Sequence, residues 1–391
     1  MNSKKSYCNP AGLYVHIPFC EAKCRYCGFY SESIKNHDPQ RLISAIIAEL
    51  NQKRSQPALS GVEGTPFSPK TVYIGGGSPS CLPGELLLRL AGEFTSNFPN
   101  FQEFTVEINP RQVDKTILSQ LRAAGVNRLS IGAQSFNADE LGFLGRLHSV
   151  DDIFRAVEAA KQAGFNNIGL DLIFAIPGST IDSWKYSLRE AINLDIQHIS
   201  AYALTYEEET PLKKAVAAGD VRPVDEETDR AMYETAIEEL ELAGFKQYEI
   251  SNFAKPGFEC RHNLNCWANR PYIGVGPAAE SYWKGNRTLN IADIEKYIEA
   301  IEQGADAATE SESPDKIQAA CETAVLNLRR RCGIDLKEFK DRTGFDAMEL
   351  FADTIGKYKK LGLIEMHDGR LFLTRKALPI ADSILCDFSD V

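Results

Sequence analysis

Three thiols fall within eight residues of this chain: Cys20, Cys24 and Cys27, spaced CxxxCxxC in the run HIPFCEAKCRYCGFYS. Thiolates on one short loop can hold a metal ion or an iron-sulfur cluster. A cubane cluster usually takes four cysteines, so one held by three keeps an iron open to a small molecule. The triplet alone leaves a structural zinc site equally open, with Cys8 or His16 as fourth ligand. Aromatic Tyr26 and Phe29 interleave with the thiols and can shield a cluster from water, which moves the weight toward the cluster. The remaining cysteines are scattered, and ten in 391 residues are too sparse for a disulfide scaffold, so most read as buried apolar fillers.

Other segments carry weaker signals. In YIGGGSPS, three glycines at a strand end let backbone approach a ligand closely, although an ordinary strand-to-helix turn reads the same way. Glu107 in FTVEINP presents a carboxylate between apolar Val106 and Ile108, able to bind an ammonium or a hydroxyl, or simply to sit in solvent. The stretch FECRHNLNCWANRPYIGVG gathers Cys260, His262, Cys266 and Trp267 on what reads as a loop.

These residues need a scaffold. Short β-rich runs at 13–17, 71–74, 104–108, 128–131, 168–174 and 198–204 alternate with helical stretches such as PQRLISAIIAELNQKR, DKTILSQLRAAG and DDIFRAVEAAKQAG. The last two end on a glycine suited to a helix C-terminus. Six such units predict an α/β fold, a partial (β/α)6 TIM-type barrel, with a doubly wound open sheet as competitor; both put functional loops at strand C-termini. Residues 55–69 read as an exposed inserted loop of no assigned function. Beyond about residue 312 the pattern turns helical and closes on GLIEMHDGRLFLT, a hairpin around His367-Asp368-Gly369-Arg370, giving a helical, winged-helix-like C-terminal domain. The expected division is 1–250 for the barrel, 251–311 for a connecting segment and 312–391 for the C-terminal domain.

The net charge of −11 argues against phosphate backbones and anionic lipid as partners, and no apolar run approaches the ~20 residues of a membrane span. We therefore expect a cytoplasmic protein without nucleic acid or an integral membrane segment.

The triplet after the first strand, Tyr14, the HIPFC run, Gly75-Gly76-Gly77-Ser78-Pro79 and the GAQSF segment together resemble the radical S-adenosylmethionine (SAM) superfamily. The likeness runs from Tyr14 to near the C-terminus, in the branch of anaerobic coproporphyrinogen dehydrogenases and heme chaperones. It implies a 4Fe-4S cluster on Cys20, Cys24 and Cys27, whose open iron chelates SAM and delivers an electron that yields a 5′-deoxyadenosyl radical. It further implies that Gly76, Gly77 and Ser78 bind the methionyl amine, Ser78 standing where threonine is usual. Glu107, Gln134, Arg146 and Asp171 match SAM-contacting positions, and Ala203 matches through its backbone. Arg146 is expected on the SAM carboxylate, Asp171 and Gln134 on the ribose or a second ligand, and Tyr14 over the SAM.

HNLNCW resembles the HNxxYW motif of the heme chaperones, in which the histidine is implicated in heme binding, so His262 is the heme candidate. Cys266 replaces the motif tyrosine, and a thiolate from Cys260 or Cys266 could compete for iron. The dehydrogenases carry a fourth cysteine where this chain has Phe29, and a long extension where only nineteen residues precede Cys20. The expected function is a heme chaperone closest to the HemW family, binding cluster, SAM and heme and delivering heme to acceptor proteins. The alternatives are an oxygen-independent coproporphyrinogen III dehydrogenase, another radical SAM enzyme such as a methyltransferase, and a cluster- or zinc-stabilised binding protein that never cleaves SAM.

Overall fold

A computed structural model describes residues 12–55 and 68–389. Most of the inserted loop expected at 55–69, and Cys8, lie outside the described residues. Six strands follow one another in the chain and in space: β1 Gly12–Ile17, β2 Thr71–Gly76, β3 Glu103–Ile108, β4 Arg128–Gln134, β5 Ile168–Phe174 and β6 His198–Ala203. Every neighbouring pair is parallel.

Alternation explains both faces of these strands. Leu13, Val15 and Ile17 of β1, Val72 and Ile74 of β2, and Phe104, Val106 and Ile108 of β3 are buried against the helices. The intervening positions point into the barrel and are polar or small: Tyr14, Tyr73, Glu107, Arg128, Ser130, Asp171 and Ser200. The helix Val150–Gln162 shows how the connections form. Ser149 and Asp152 make a capping box, and Ile153, Ala156, Val157 and Ala160 form the buried stripe.

The six strands are the middle of a larger sheet. Among the described residues it has twelve strands, because the segment after β6 adds pairings that its short, turn-rich sequence did not reveal. Tyr272–Val275 lies parallel outside β1 and is followed by antiparallel Glu280–Trp283, Asn286–Asn290 and Ala308–Glu312. On the other side Asn252–Ala254 runs antiparallel to β6. The outermost strands do not pair with each other, so the barrel stays open.

The C-terminal region contains helices Lys316–Leu328, Leu336–Thr343, Ala347–Leu350 and Ala352–Lys360, then a hairpin of Ile364–His367 and Arg370–Leu373, and closes on the helical turn Arg375–Ile380 and the helix Ala381–Cys386. Asp368 and Gly369 turn the hairpin with φ of 49° and 72°, the left-handed pair a two-residue hairpin turn needs. One apolar core runs from Leu13 to Phe388, joining this region to the barrel. No helix among the described residues is long and apolar enough to cross a membrane.

Candidate cofactor-binding site

The C-terminal ends of the strands open into a cavity of about 1370 Å³. Its wall includes Cys20, Cys24, Cys27, Gly76, Gly77, Ser78, Glu107, Gln134, Arg146, Asp171 and Ala203, residues that span 184 positions of sequence. The loop carrying the thiols is tied down at Arg25, whose N–H donates to the Leu144 carbonyl at 3.2 Å and whose carbonyl accepts from the Leu212 N–H at 2.9 Å. Gly77 is required where β2 passes beneath this loop, because a Cβ there would lie 2.5 Å from the Phe19 carbonyl oxygen and 3.1 Å from Cys20 Sγ. Gly76, at φ 113°, is in backbone territory that favours glycine.

Burial pushes the Cys20 and Cys27 thiols above their ordinary pKa, so thiolates there call for a bound cation. Among the described residues no three His, Cys, Asp or Glu side chains converge closely enough to hold one metal ion. His16 does not complete a zinc site in this arrangement: its Nε2 donates to the Tyr30 carbonyl at 3.1 Å and its Nδ1 accepts from the Tyr14 hydroxyl at 3.0 Å.

Two half-buried carboxyls line the same cavity as the thiols. Glu107 accepts from the Tyr73 hydroxyl at 2.7 Å and from the Gly76 N–H at 3.2 Å. Burial nevertheless raises its pKa from the ordinary 4.5 to about 7, helped by the neighbouring charge of Asp171. Asp171 is likewise raised by burial and accepts from Ser200 Oγ at 2.7 Å and Ser130 Oγ at 3.2 Å. Arg146 donates from Nη2 to the Gly132 carbonyl at 3.0 Å and from Nη1 to Cys24 Sγ at 3.4 Å, with Nε buried and unpartnered. It therefore bridges the barrel rim and the cysteine loop. Gln134 holds a left-handed φ of 69° at the end of β4, a strain that accompanies its place at the cavity.

The N–H groups of Gly76, Gly77 and Ser78 already donate, to Glu107, the Ile17 carbonyl and the Phe19 carbonyl, and Ser78 Oγ donates to Gln112. This segment can thus offer a ligand acceptors, which is what an ammonium needs. Two half-buried acids and a guanidinium around three thiols fit a zwitterionic, hydroxyl-bearing ligand seated on a cluster.

Two expected site residues lie elsewhere. Tyr14 does not overhang the cavity; its hydroxyl bonds to His16, and its ring packs 6.2 Å from that of Tyr73 and 6.4 Å from His262, one layer deeper in the barrel. His262 is not on an open loop. It belongs to the helix Arg261–Trp267, is 5% exposed, and bonds through Nδ1 to Thr71 Oγ1 at 3.0 Å. The reason is Glu103, whose carboxylate accepts the N–H groups of Arg261 and His262 at 2.9 and 3.0 Å and pins that helix under the barrel. Burial, with the charge of Arg128, lowers the His262 pKa to about 4, so its imidazole is neutral. Cys260 is fully buried and Cys266 is pushed up to about 12 by burial, which holds both as thiols.

The residues that position Glu107 and Asp171 went unread in the sequence: Tyr73, Ser130 and Ser200. So did Arg128, 1% exposed on the cavity wall with Nε and Nη1 unpartnered. The signal was present as alternation, since Arg128, Ser130, Gly132 and Gln134 share one face of β4. Arg329 and the 378–383 segment, which wall the cavity from the C-terminal side, left no local signal.

An open parallel barrel with three thiols on its first loop is the build of a radical SAM protein, and residues 14–191 match the Radical SAM superfamily while 315–380 match the HemN C-terminal domain. The fold is that of Escherichia coli coproporphyrinogen III oxidase (HemN), with a TM-score of 0.82 over 98% of this chain and 90% of that one at 21% identity. The heme chaperone HemW of Bacillus subtilis is 34% identical over 381 residues, covering 96% of this chain and 98% of the relative. HemW of Mycobacterium tuberculosis H37Rv is 33% identical over 96% of this chain and 94% of the relative. The chain belongs to the HemW family.

Proposed function

We propose that this protein is a radical SAM-type heme chaperone, binding a 4Fe-4S cluster, SAM and heme and passing heme to acceptor proteins. The observation that carries the site is the convergence of Cys20, Cys24 and Cys27 with Glu107, Arg146 and Asp171 on one cavity. Family membership carries the cargo. Cys20, Cys24 and Cys27 hold the cluster, which when bound supplies the electron for reductive cleavage of SAM. Gly76, Gly77 and Ser78 take the methionyl amine through acceptor groups, and Arg146 takes the carboxylate as a charge-assisted pair. Asp171 and Gln134 hold ribose hydroxyls, Ala203 adds a backbone contact, and Glu107 matches the cationic end of the ligand.

His262 is the proposed iron ligand. With Nδ1 fixed by Thr71, Nε2 is the nitrogen left to bind, as an outer partner commonly arranges for ligating imidazoles. Because the ring is enclosed, ligation goes with movement of the 261–267 helix. We assign residues 1–250 to the cofactor-binding barrel, 251–311 to the connecting segment and 312–391 to the C-terminal domain. A cytoplasmic location accords with nine described cysteines that are all unpaired.

The test is anaerobic titration of cluster-loaded protein with heme, run beside an assay for decarboxylation of coproporphyrinogen III with SAM and a reductant. Saturable heme binding without decarboxylation supports the chaperone. Accumulating protoporphyrinogen, with heme bound no better than by an unrelated acidic protein, establishes the dehydrogenase instead.

A further inference from the structure

We infer that Arg329 receives a carboxylate of the porphyrin, on the side of the cavity formed by the C-terminal region; this rests on the chaperone reading and gives its second ligand a place. At about 1370 Å³ the cavity exceeds the roughly 300–1,000 Å³ of an ordinary small-molecule site, so a ligand at the cysteine loop leaves space beside it. That remaining wall mixes apolar Tyr202, Leu378 and Ile380 with acidic Glu226, Glu227 and Asp229, and Arg329 is part of it. Tyr202 and Ile380 are 40% and 42% exposed, so each offers apolar surface to a ligand in the cavity.

Arg329 follows the helix Lys316–Leu328, and its guanidinium lies 4.7 Å from the ring centroid of Trp267. Trp267 is the last residue of the helix that begins at Arg261, so the HNLNCW stretch reaches the cavity through this stacked pair. A guanidinium laid on an aromatic face keeps its N–H edge for a carboxylate. This one is underused. Of five N–H donors the structure assigns one, from Nη1 to Asp382 Oδ1 at 3.2 Å, while Nε is buried without a partner. Asp382 is 88% exposed at its side chain, and such an ion pair is weak and readily exchanged for another carboxylate. Glu249 is near enough to feel the guanidinium charge; its Oε1 accepts from Ser251 and Asn252, and its buried Oε2 has no hydrogen-bond partner. A partly apolar wall carrying a guanidinium with donors to spare matches a flat macrocycle that bears carboxylates on its rim.

The experiment compares heme with its dimethyl ester, which keeps the macrocycle and iron but lacks the carboxylates. Both are titrated by Soret absorbance into cluster-loaded wild type, Arg329→Gln and Asp382→Asn. Losing one charge-assisted bond predicts roughly tenfold to hundredfold weaker heme binding in R329Q. The ester should bind R329Q and wild type alike, and D382N should bind heme as tightly as wild type or tighter. Unchanged iron content and SAM affinity in R329Q establish that the variant is folded. Wild-type heme affinity in folded R329Q, or equal losses for heme and ester, overturns the inference and leaves the chaperone reading standing. Failure of wild type to bind heme overturns both.

Discussion

Glu107→Gln separates what the site does for the ligand from what it costs the fold. Burial raises the Glu107 carboxyl from 4.5 to about 7, so the folded protein binds a proton there that the unfolded chain releases between those values. Stability from this group is therefore complete below pH 4.5 and is lost as pH climbs through 7. The shift corresponds to roughly 3 kcal/mol, or about 4 °C in Tm for a chain of 391 residues unfolding cooperatively. Glutamine is the neutral isostere and escapes that loss. In ligand-free, cluster-loaded protein followed by anaerobic thermal unfolding, the Tm of E107Q minus that of wild type should rise by about this amount between pH 5 and pH 8. Comparing the two pH values cancels the fixed cost of changing the bonds to Tyr73 and Gly76. Asp171, the other half-buried acid near Glu107, and Arg128 are common to both proteins. SAM affinity at pH 8 should move the other way and fall, because the variant has no charge to offer a cation. A Tm difference independent of pH would show that Glu107 does not titrate near neutrality. Undiminished SAM binding by E107Q would remove Glu107 from the ligand.

Cys24→Ala should abolish the cluster: reconstituted wild type is expected to hold about four irons with matching sulfide, and tight zinc without sulfide in protein purified anaerobically would contradict the assignment. Arg146→Ala should weaken SAM roughly tenfold to hundredfold by equilibrium binding with the iron count kept; unaltered affinity would exclude it from the carboxylate. His262→Ala should shift or weaken the Soret band of bound heme, whereas an unaltered spectrum would exclude His262 as the iron ligand.

Much of the barrel is legible in the linear sequence because parallel strands and amphipathic helices are set by local alternation. The six predicted runs fall on β1 to β6, with HISAYAL overshooting its strand by one residue. The cysteine loop is legible for the same reason, since three thiols within one short segment need no distant contact to be recognised. The strands from Lys246 to Glu312 were not legible: short and turn-rich, they are strands only because β1 and β6 offer edges to pair with.

The depth of His262 shows most clearly what the tertiary structure alone decides. In sequence it lies among polar residues that read as a loop, and its burial comes from Glu103, 159 residues away, holding its backbone N–H beneath the barrel. The raised carboxyls of Glu107 and Asp171 have the same origin, because desolvation depends on how the strands enclose a side chain rather than on its neighbours in the chain. Arg329 meets Trp267 across sixty-two positions only when the C-terminal helices dock on the barrel. Sequence names the groups able to do chemistry; enclosure by distant elements fixes which of them reach the cavity, and in what state of charge.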